Sequence, residues 1–570
     1  MKSPLAPMLV VVALLPACGS GGGVRTAAIA PVFTHGVASG DMRADSAVLW
    51  TRTNGDARLV PEISRTPGFE SAAALAPVEA RSESDFTVKT IAAGLQPGMR
   101  YYYRFRAGDA VSPAGTFRTP YGAGDHAAVR MGFSGDADWK WKPYPLAASL
   151  AAENLDFFFF LGDVIYESAD LKGKTSVEDL AGYRSKYREN REPRANSASG
   201  MVPLRELYEA FGQYSVFDNH EIGESKDRAA PPYTQGGALS GGQRVNRSEG
   251  FRARIQAYSE YQPVRTEWQR ATGDARTDDT VRFYDAIPWG ANVELIVLDD
   301  RSYRDARIPK ADSPAADQCD RTMLGPVQLQ WFERSLLAAK RRGAVWKVVV
   351  ISSPIQELGR ASQVGMDMDS FKGWAGNYRC ERSRVLKFID DNAIDNVVFL
   401  TTDYHITVVN NLWYDTQPGH PGSARRRARN AFEIITGPIG AATGWPLRNV
   451  VSTKGLSPAE ADAKVLGTLN AALERAGLDP VGLEPDFPGL EVDSIRAAGR
   501  PAGVADPLAF VSFGSYTYAV LTFDQSHLHV QVKAMPYVAD PATLLDAAAE
   551  KEYEGRRAKE AFSFAIRAAR

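Results

Sequence analysis

The sequence has few cysteines, few histidines and almost no net charge. Its 570 residues include 3 cysteines and 7 histidines, and the formal net charge is -2. A nearly neutral chain generates no overall field that would favour nucleic acid, so we expect no specific nucleic-acid binding. One local exception is the basic run Arg425–Arg427 with Arg429. This run is either a solvated loop or a lip that attracts an anionic substrate.

The N-terminus lacks a hydrophobic run long enough to form a membrane-spanning helix. The apolar stretch from Met8 to Leu15 is short, whereas a spanning helix needs about 20 such residues. Lys2 before it and Leu15-Pro-Ala-Cys18 after it predict an export signal over residues 1–18, followed by a flexible tether over residues 19–30. Leucine and small residues before a lone cysteine resemble a bacterial lipobox, although a plain secretory peptide is the alternative.

These features predict an exported protein at the cell surface or in the periplasm. In this interpretation it is a monomer attached to the membrane by a lipid on Cys18. Cys319 and Cys380 are then the remaining thiols, and an oxidising compartment favours their pairing over two separate buried thiols. Closing a loop across 61 residues would stabilise the fold by about 4 kcal/mol in the chain-entropy treatment.

Residues 31–122 have the pattern of short alternating strands separated by turns. Ala47–Trp50 and Phe86–Lys89 fit strands. The turn Leu95–Gly98 precedes Tyr101–Phe105, whose alternation places every second aromatic side chain on a buried face. The turn followed by a tyrosine resembles a fibronectin type III β-sandwich, an architecture that does not fix a function.

After Pro120 strands alternate with helices, which predicts an α/β catalytic domain over residues 127–540. Buried central strands are predicted at six apolar runs, namely 129–133, 157–161, 294–298, 346–351, 397–400 and 432–435. Residues 146–154 are predicted to form a crossover helix between the first two strands. The capping box Ser457-Pro-Ala-Glu460 begins a helical insert over about 454–505, and we expect a C-terminal helix over 541–570.

Four short segments with metal-ligand side chains follow predicted strands. They are Asp136-Ala-Asp138, Gly162-Asp163-Val-Ile-Tyr166, Asp218-Asn219-His220-Glu221 and Asp403-Tyr-His405. Phosphate ester hydrolysis by two cations needs one bridging carboxylate, with further oxygen or imidazole ligands on each side. We assign Asp163 as the bridging ligand, because Gly162 allows a tight turn that exposes its carboxylate. The set predicts a two-metal phosphoesterase.

The remaining residues of these segments are assigned by their chemistry. Asp136 is a terminal ligand, whereas Asp138 could be a ligand, orient one or cap the next helix. Tyr166 is either a packed aromatic or a phenolate, which would prefer Fe³⁺. Asn219, Asp403 and His405 complete the ligands, and an oxygen-rich second site suits Ca²⁺, Mg²⁺ or Mn²⁺ better than Zn²⁺.

Two further residues have predicted catalytic roles. His220 is the candidate acid that protonates the leaving oxygen. Arg301 either holds phosphate through two hydrogen bonds or pairs with Asp299 in the interior. The expected substrate is a phosphate monoester or diester. A lipid or polymer headgroup is the alternative substrate, and a surface lipoprotein that binds phosphorylated polymers without turnover is the alternative function.

These motifs together resemble the PhoD-like family of alkaline phosphatases and phosphodiesterases, which are related to purple acid phosphatases within the calcineurin-like metallophosphoesterases. The resemblance rests on residues 36–41, 48–52, 161–167, 218–221, 298–304, 323–328 and 402–405, with Trp331. It implies a four-layer α/β sandwich behind the N-terminal domain.

The resemblance also implies a ligand set. Fe³⁺ would be held by Asp136, Asp163, Tyr166 and His405, and a divalent cation, with Ca²⁺ favoured, would lie near Asp163, Asn219 and Asp403. The chain departs from the family pattern in three ways. Members often have cysteine at position 136 and aspartate at position 219, and many carry a twin-arginine signal that is not visible here.

Overall fold

The structure is a computed structural model that describes residues 33–194, 197, 199–223, 233–308, 314–357, 373–420, 422–443, 455–475, 477–484, 486–497 and 511–569. The predicted signal, the tether and Cys18 lie outside the described residues. Among the helices that are described, none is long and apolar enough to cross a membrane.

Two large sheets form the centre of the molecule. The first has ten strands, in the spatial order Leu490–Ala497, Lys559–Arg567, His527–Pro536, Ser515–Phe523, Val129–Ser134, Phe157–Phe160, Gln213–Ser215, Val37–Arg43, Ser46–Arg52 and Thr87–Ala93. The second has seven, in the order Asp285–Trp289, Val293–Val297, Trp346–Val350, Val397–Thr401, Arg425–Ile435, Thr407–Asp415 and Val511–Ser512. The six predicted central strands are confirmed.

The strand of four phenylalanines shows how the layers are arranged. Phe157 and Phe159 pack between the two sheets with side chains such as Leu295 and Val348 of the second sheet. Phe158 and Phe160 point to the other face, where they pack with helical residues. The outer face of the second sheet is covered in the same way. The alternation therefore builds the expected order of helices, sheet, sheet and helices.

Helices cover both outer faces and connect the strands. Within the described residues the α-helices are Pro145–Ala151, Leu180–Asn190, Pro203–Ala210, Asn219–Ile222, Glu249–Tyr261, Gly325–Arg342, Trp374–Asn377, Arg379–Asp391, Pro458–Arg475 and Ala547–Glu554. The same part of the chain contains the 3₁₀ helices Ser82–Ser84, Trp139–Trp141, Val245–Arg247, Pro314–Asp317 and Pro541–Leu545. Two small hairpins pair Leu239–Ser240 with Gln243–Arg244 and Glu267–Gln269 with Thr280–Arg282.

The N-terminal region is β-rich, as predicted. A separate sheet contains Ala57–Ser64, Ala73–Ala74, Val78–Ala80, Arg100–Ala107, Ala110–Val111 and Gly115–Arg118. Tyr101, Tyr103 and Phe105 are buried as the alternation required. The Tyr101 hydroxyl accepts a hydrogen bond from the Gln96 backbone N–H at 2.9 Å, which is the expected tyrosine corner.

The expected C-terminal helix is wrong for most of its length. The helix Ala547–Glu554 ends, and the chain continues as the strand Lys559–Arg567, which pairs with His527–Pro536. Phe562, Phe564 and Ile566 alternate on the buried face, and this two-residue period favours a strand over the Ala- and Glu-rich composition. The insert is also not wholly helical, because Leu490–Ala497 adds an edge strand to the ten-stranded sheet.

Two side-chain predictions are resolved away from the site. Cys319 and Cys380 form a disulfide. Arg425 pairs with Glu357 and Asp479, and Arg427 pairs with Asp486. Arg425 is the first residue of the strand Arg425–Ile435. The other end of this strand, at Ile435, lies beside Thr401 near the metal-ligand segments. Arg425 and Arg427 are therefore paired with acidic residues, and the start of this strand lies away from the metal-ligand segments.

Candidate metal centre

The four predicted segments meet at the carboxyl ends of four strands. Three of these strands, Val129–Ser134, Phe157–Phe160 and Gln213–Ser215, are parallel neighbours in the first sheet. The fourth, Val397–Thr401, belongs to the second sheet. Ligands in α/β proteins collect at this end of parallel strands.

Four of the predicted ligands have a left-handed backbone conformation. The φ angles are 63° at Asp136, 52° at Asp163, 71° at Asp403 and 51° at His405. Residues other than glycine seldom adopt positive φ, and such residues cluster at functional sites. The sharp turns aim these short side chains back towards one another.

Gly162 explains why a glycine precedes Asp163. Its φ is 98°, and a Cβ atom there would lie 2.6 Å from the Asp218 Cβ. Such a contact is too short for two carbon atoms, so any larger residue would push apart the Asp163 and Asp218 loops.

The first group of candidate ligands consists of Asp136, Asp163 and His405, which are buried and offer ligand atoms within 4.8 Å of one another. His405 Nδ1 donates to the Ala442 carbonyl, so in the neutral imidazole its Nε2 carries the lone pair. That Nε2 lies 3.2 Å from Asp136 Oδ1 and 2.9 Å from the Tyr166 hydroxyl. A lone pair facing a buried carboxylate requires a proton or a cation between them, which fits a metal site.

The second group consists of Asp163, Asp218 and Asp403, again with ligand atoms within 4.8 Å. Asp163 belongs to both groups, which is the position expected of a bridging ligand. Burial, followed by the charge of Asp218, raises the pKa of Asp163 well above its usual value. Ionised carboxylates packed this closely repel one another, and bound cations would relieve the repulsion.

Tyr166 lies beside the first group as predicted. Its hydroxyl contacts His405, and burial together with the charge of Asp163 raises the pKa of Tyr166 well above its usual value. A phenolate at this position therefore requires a cation, whereas a neutral phenol can remain as a packed aromatic. The role of Tyr166 as a ligand stays a prediction.

Asp218 is a candidate ligand to which the sequence analysis assigns no individual role. The prediction assigned its neighbour Asn219 to the second metal, but Asp218 is the acidic residue that joins Asp163 and Asp403. Asn219 is half-buried and begins the four-residue helix Asn219–Ile222. Its role as a ligand stays a prediction.

Asp138 caps a short helix beside the first group of ligands. Its side chain caps the 3₁₀ helix Trp139–Trp141 by accepting from the Lys140 N–H at 3.1 Å, and it pairs with Lys140 Nζ at 3.0 Å. The structure therefore shows Asp138 as a helix cap, and its role as a metal ligand stays a prediction.

Arg301 is fully buried beside the second group. Its guanidinium pairs with Asp218, and Nη2 lies 3.7 Å from Asp403 Oδ2. The suggested partner Asp299 instead accepts from the backbone N–H groups of Arg301 and Ser302 at 3.0 and 2.9 Å. The guanidinium thus balances part of the carboxylate charge, and contact with phosphate stays a prediction.

His220 lies at the open side of the site. Its Nδ1 is 2.5 Å from Glu167 Oε2, its Nε2 is 4.0 Å from Asp163 Oδ2, and its ring stacks on Tyr166 with centroids 3.9 Å apart. Burial lowers the pKa of His220, but the charge and hydrogen bond of Glu167 outweigh this effect and raise it overall. This environment favours a protonated imidazole, as an acid catalyst needs.

Glu221 organises the site from behind and was not assigned a role from the sequence. Its carboxylate accepts from the backbone N–H groups of Asp163 and Asp218 at 2.9 and 2.7 Å, and also from those of Val164 and Ile165. One side chain thereby fixes two of the metal-ligand loops. The Asp-x-x-Glu spacing of a capping box was the available signal.

Comparisons with known proteins agree with this geometry. The family model described as PhoD-like phosphatase matches residues 129–473, and that of the PhoD-like phosphatase N-terminal domain matches residues 19–121. Alkaline phosphatase D of Bacillus subtilis (strain 168) is 29% identical over 416 residues, which are 67% of this chain and 66% of that protein. The match thus spans just under two thirds of the relative's length.

A solved structure of PhoD supports the fold. It is 22% identical in sequence, with 95% of this chain and 91% of that chain covered at a TM-score of 0.67. The α/β architecture and the β-rich N-terminal region are therefore shared with that structure.

Proposed function

Because the chain belongs to the PhoD-like phosphatase family, we propose that it is a metal-dependent hydrolase of phosphate esters. The observation that carries this proposal is the position of Asp163 in both candidate metal groups. A carboxylate shared in this way suits a pair of cations, which hold phosphoryl oxygens and lower the pKa of water.

The side chains of this site have different proposed roles in hydrolysis. Asp136, Asp163 and His405 would hold one cation, and Asp163, Asp218 and Asp403 would hold the other, with Asn219 as a neutral oxygen donor. His220 lies at the open side with Nε2 directed towards Asp163, so it is placed to donate a proton to the leaving oxygen. Arg301 holds the Asp218 carboxylate in place.

The two groups suit different cations. The first combines carboxylates with an imidazole and a nearby phenol, a set compatible with Fe³⁺, whereas the second has only carboxylates and suits Ca²⁺, with Mg²⁺ or Mn²⁺ as alternatives. Elemental analysis of protein purified without chelators tests this assignment. Iron bound through the Tyr166 phenolate would also give a visible charge-transfer band that is absent in Tyr166→Phe.

The activity is tested with a chromogenic monoester and a chromogenic diester at neutral to alkaline pH. We expect hydrolysis of one or both, loss of activity after chelation, and recovery on adding metal. Asp163→Asn should lose at least 100-fold in kcat/KM because both cations lose a ligand. Asp546→Asn, a conservative change at a helix cap outside the site, should retain activity. A metal-loaded protein that cleaves neither ester would refute the proposal.

The finer proposal on location is an exported monomer anchored by a lipid on Cys18. The Cys319–Cys380 disulfide supports export, since disulfides persist in oxidising compartments. Membrane fractionation of wild type and Cys18→Ser tests the anchor. Cys18→Ser protein that remains in the membrane fraction would contradict it.

A further inference from the structure

A second cluster of metal-ligand side chains lies outside the proposed catalytic site. Asp524, His527 and His529 offer ligand atoms within 4.8 Å of one another. Asp524 lies in the turn between the strands Ser515–Phe523 and His527–Pro536, and both histidines lie on the second of these strands. The three residues therefore belong to one hairpin. Its two strands are paired along their whole length, from Ser515 opposite Pro536 to Phe523 opposite Leu528.

The two histidines are arranged on the same face of their strand. Residues two apart in a strand point to the same side, and the rings of His527 and His529 stack with centroids 5.6 Å apart. His529 is exposed and His527 is half-buried, so a cation can reach the pair from solvent. This arrangement differs from that of the buried His405.

The turn holds the carboxylate of Asp524 in a fixed orientation. Its Oδ1 accepts from the backbone N–H groups of Ser526 and His527 and from the Ser526 hydroxyl, at 2.7, 2.8 and 2.7 Å. The Ser526 hydroxyl also lies 2.9 Å from His527 Nδ1, which places this nitrogen on the Asp524 side.

Glu491 occupies the opposite side of the His527 ring. Its Oε1 is 3.1 Å from His527 Nε2 and is also paired with Arg567. A carboxylate that accepts from one imidazole nitrogen fixes the ring and makes the other nitrogen a better metal donor, as is common around histidine ligands. The neighbourhood thus contains two imidazoles, one oriented carboxylate and one supporting carboxylate.

We infer that Asp524, His527 and His529 form a surface binding site for a borderline transition-metal cation such as Zn²⁺. Two imidazoles and one carboxylate match the donors that Zn²⁺ accepts, and water can fill the fourth position. The hard cations Ca²⁺ and Mg²⁺ prefer sites made only of oxygen, so they should compete poorly.

The site is separate from the catalytic one. Phe523 pairs with Val129, at the start of the strand whose far end leads to Asp136. The five residue steps of that strand alone span about 16 Å. Zinc bound only to the folded protein would raise the melting temperature.

The test uses the full-length mature protein without an affinity tag and with its own metals retained. Zn²⁺ is titrated calorimetrically in the presence of millimolar Ca²⁺, and retention on an immobilised Ni²⁺ column is measured in parallel. We expect one additional Zn²⁺ per chain, and at least tenfold weaker binding and earlier elution for His527→Ala and for His529→Ala. Phosphatase activity of both variants should equal that of the wild type.

Matched controls are His126→Ala and His420→Ala, two exposed histidines outside the cluster, which should bind and elute as the wild type does. Asp524→Asn should weaken Zn²⁺ binding while leaving the column retention largely in place, because the two imidazoles remain. Wild type that binds no additional Zn²⁺, or His529→Ala that binds it as tightly as wild type, would overturn the inference.

Discussion

Glu221 shows how much of the site depends on a single side chain that supports the metal-ligand loops. It is fully buried and accepts hydrogen bonds from the backbone of both the Asp163 and the Asp218 loops. Each buried N–H left without an acceptor costs about 1 to 3 kcal/mol. The geometry of two carboxylate ligands is therefore coupled to this residue.

We predict that Glu221→Ala lowers the free energy of unfolding by about 3 kcal/mol or more and weakens binding of the catalytic metals. Denaturant unfolding and metal titration measure the two effects. Glu206→Ala, a change at an exposed helical position, should alter neither. Wild-type metal affinity in Glu221→Ala would show that the loops hold their geometry without it.

Glu167 acts on the reaction through His220. Its contact with Nδ1 orients the ring, and its charge favours the protonated form. We predict that Glu167→Gln lowers kcat by about tenfold with little change in KM, and by more for an alkyl phosphate than for a nitrophenyl phosphate. An alkoxide needs a proton to leave whereas nitrophenolate does not.

The comparison of kcat between the two substrates distinguishes orientation of the acid from a general structural loss. Asp170→Asn, in the exposed loop that follows Glu167, serves as the matched control. Equal losses on both substrates would mean that Glu167 does not act through proton donation by His220.

The residue scale also shows what the sequence could predict about the site. Asp136, Asp163, Asp403 and His405 follow buried strands directly, so their positions at the carboxyl ends of strands could be predicted, whereas the contact between the two sheets that brings them together could not. The choice between Asp218 and Asn219 could not, because the four-residue helix decides which of two adjacent side chains faces Asp163. The role of Asp138 likewise depended on a local hydrogen bond to Lys140.

At the scale of elements, Glu381 connects two helices that pack on the outer face of the second sheet. It lies in the helix Arg379–Asp391 and accepts at 3.0 Å from the N–H groups of Met323 and Leu324, which precede the helix Gly325–Arg342. Burial raises the pKa of Glu381 from 4.5 to about 7. The folded state therefore binds a proton here more strongly than the unfolded state.

This difference predicts a pH dependence of stability. The proton bound by Glu381 adds to the free energy of unfolding. This stabilisation is fully present below about pH 4.5 and is lost as the pH rises through about 7, and the total loss is about 3 kcal/mol. A neutral glutamine does not titrate, so Glu381→Gln should gain stability relative to wild type between pH 5 and pH 8. Urea unfolding at four pH values measures this change, and parallel curves for the two proteins would contradict it.

Elements with one dominant period were predicted well, and elements with mixed signals were not. The apolar runs 157–161 and 346–351 are too short for typical buried helices, which favours buried strands. The C-terminal segment combines a helix-favouring composition with the alternating Phe562, Phe564 and Ile566, and pairing with a neighbouring strand decided its conformation. Such pairing is a tertiary interaction between residues distant in sequence.

At the scale of the whole molecule, the N-terminal sandwich and the catalytic sheets are not independent. Leu49, Leu59 and Tyr103 of the sandwich belong to the same apolar core as Phe157 and Val348. The strand Val37–Arg43 also joins the ten-stranded sheet through parallel pairing of Gly40 with Gln213. We therefore expect the sandwich and the catalytic sheets to unfold together.

Gly40 offers a test of this junction with one added methyl group. A Cβ atom at Gly40 would lie 2.6 Å from the Pro263 carbonyl oxygen and 2.7 Å from that of Gln213. Both oxygen atoms belong to the backbone, so the strands Val37–Arg43 and Gln213–Ser215 and the segment at Pro263 must move apart to admit the methyl group. We predict that Gly40→Ala lowers the melting temperature by several degrees while unfolding remains a single transition, because the core is shared.

The effect should also reach the catalytic site, because the strand Gln213–Ser215 leads directly to the Asp218 loop. Gly40→Ala should therefore lose activity together with stability.

Gly55→Ala is the matched control, since a Cβ there meets nothing within 4 Å and the substitution removes only backbone freedom. Calorimetry and phosphatase assays on both variants decide the matter. Two separate transitions in Gly40→Ala, with full activity until the second, would show that the sandwich is an independent unit.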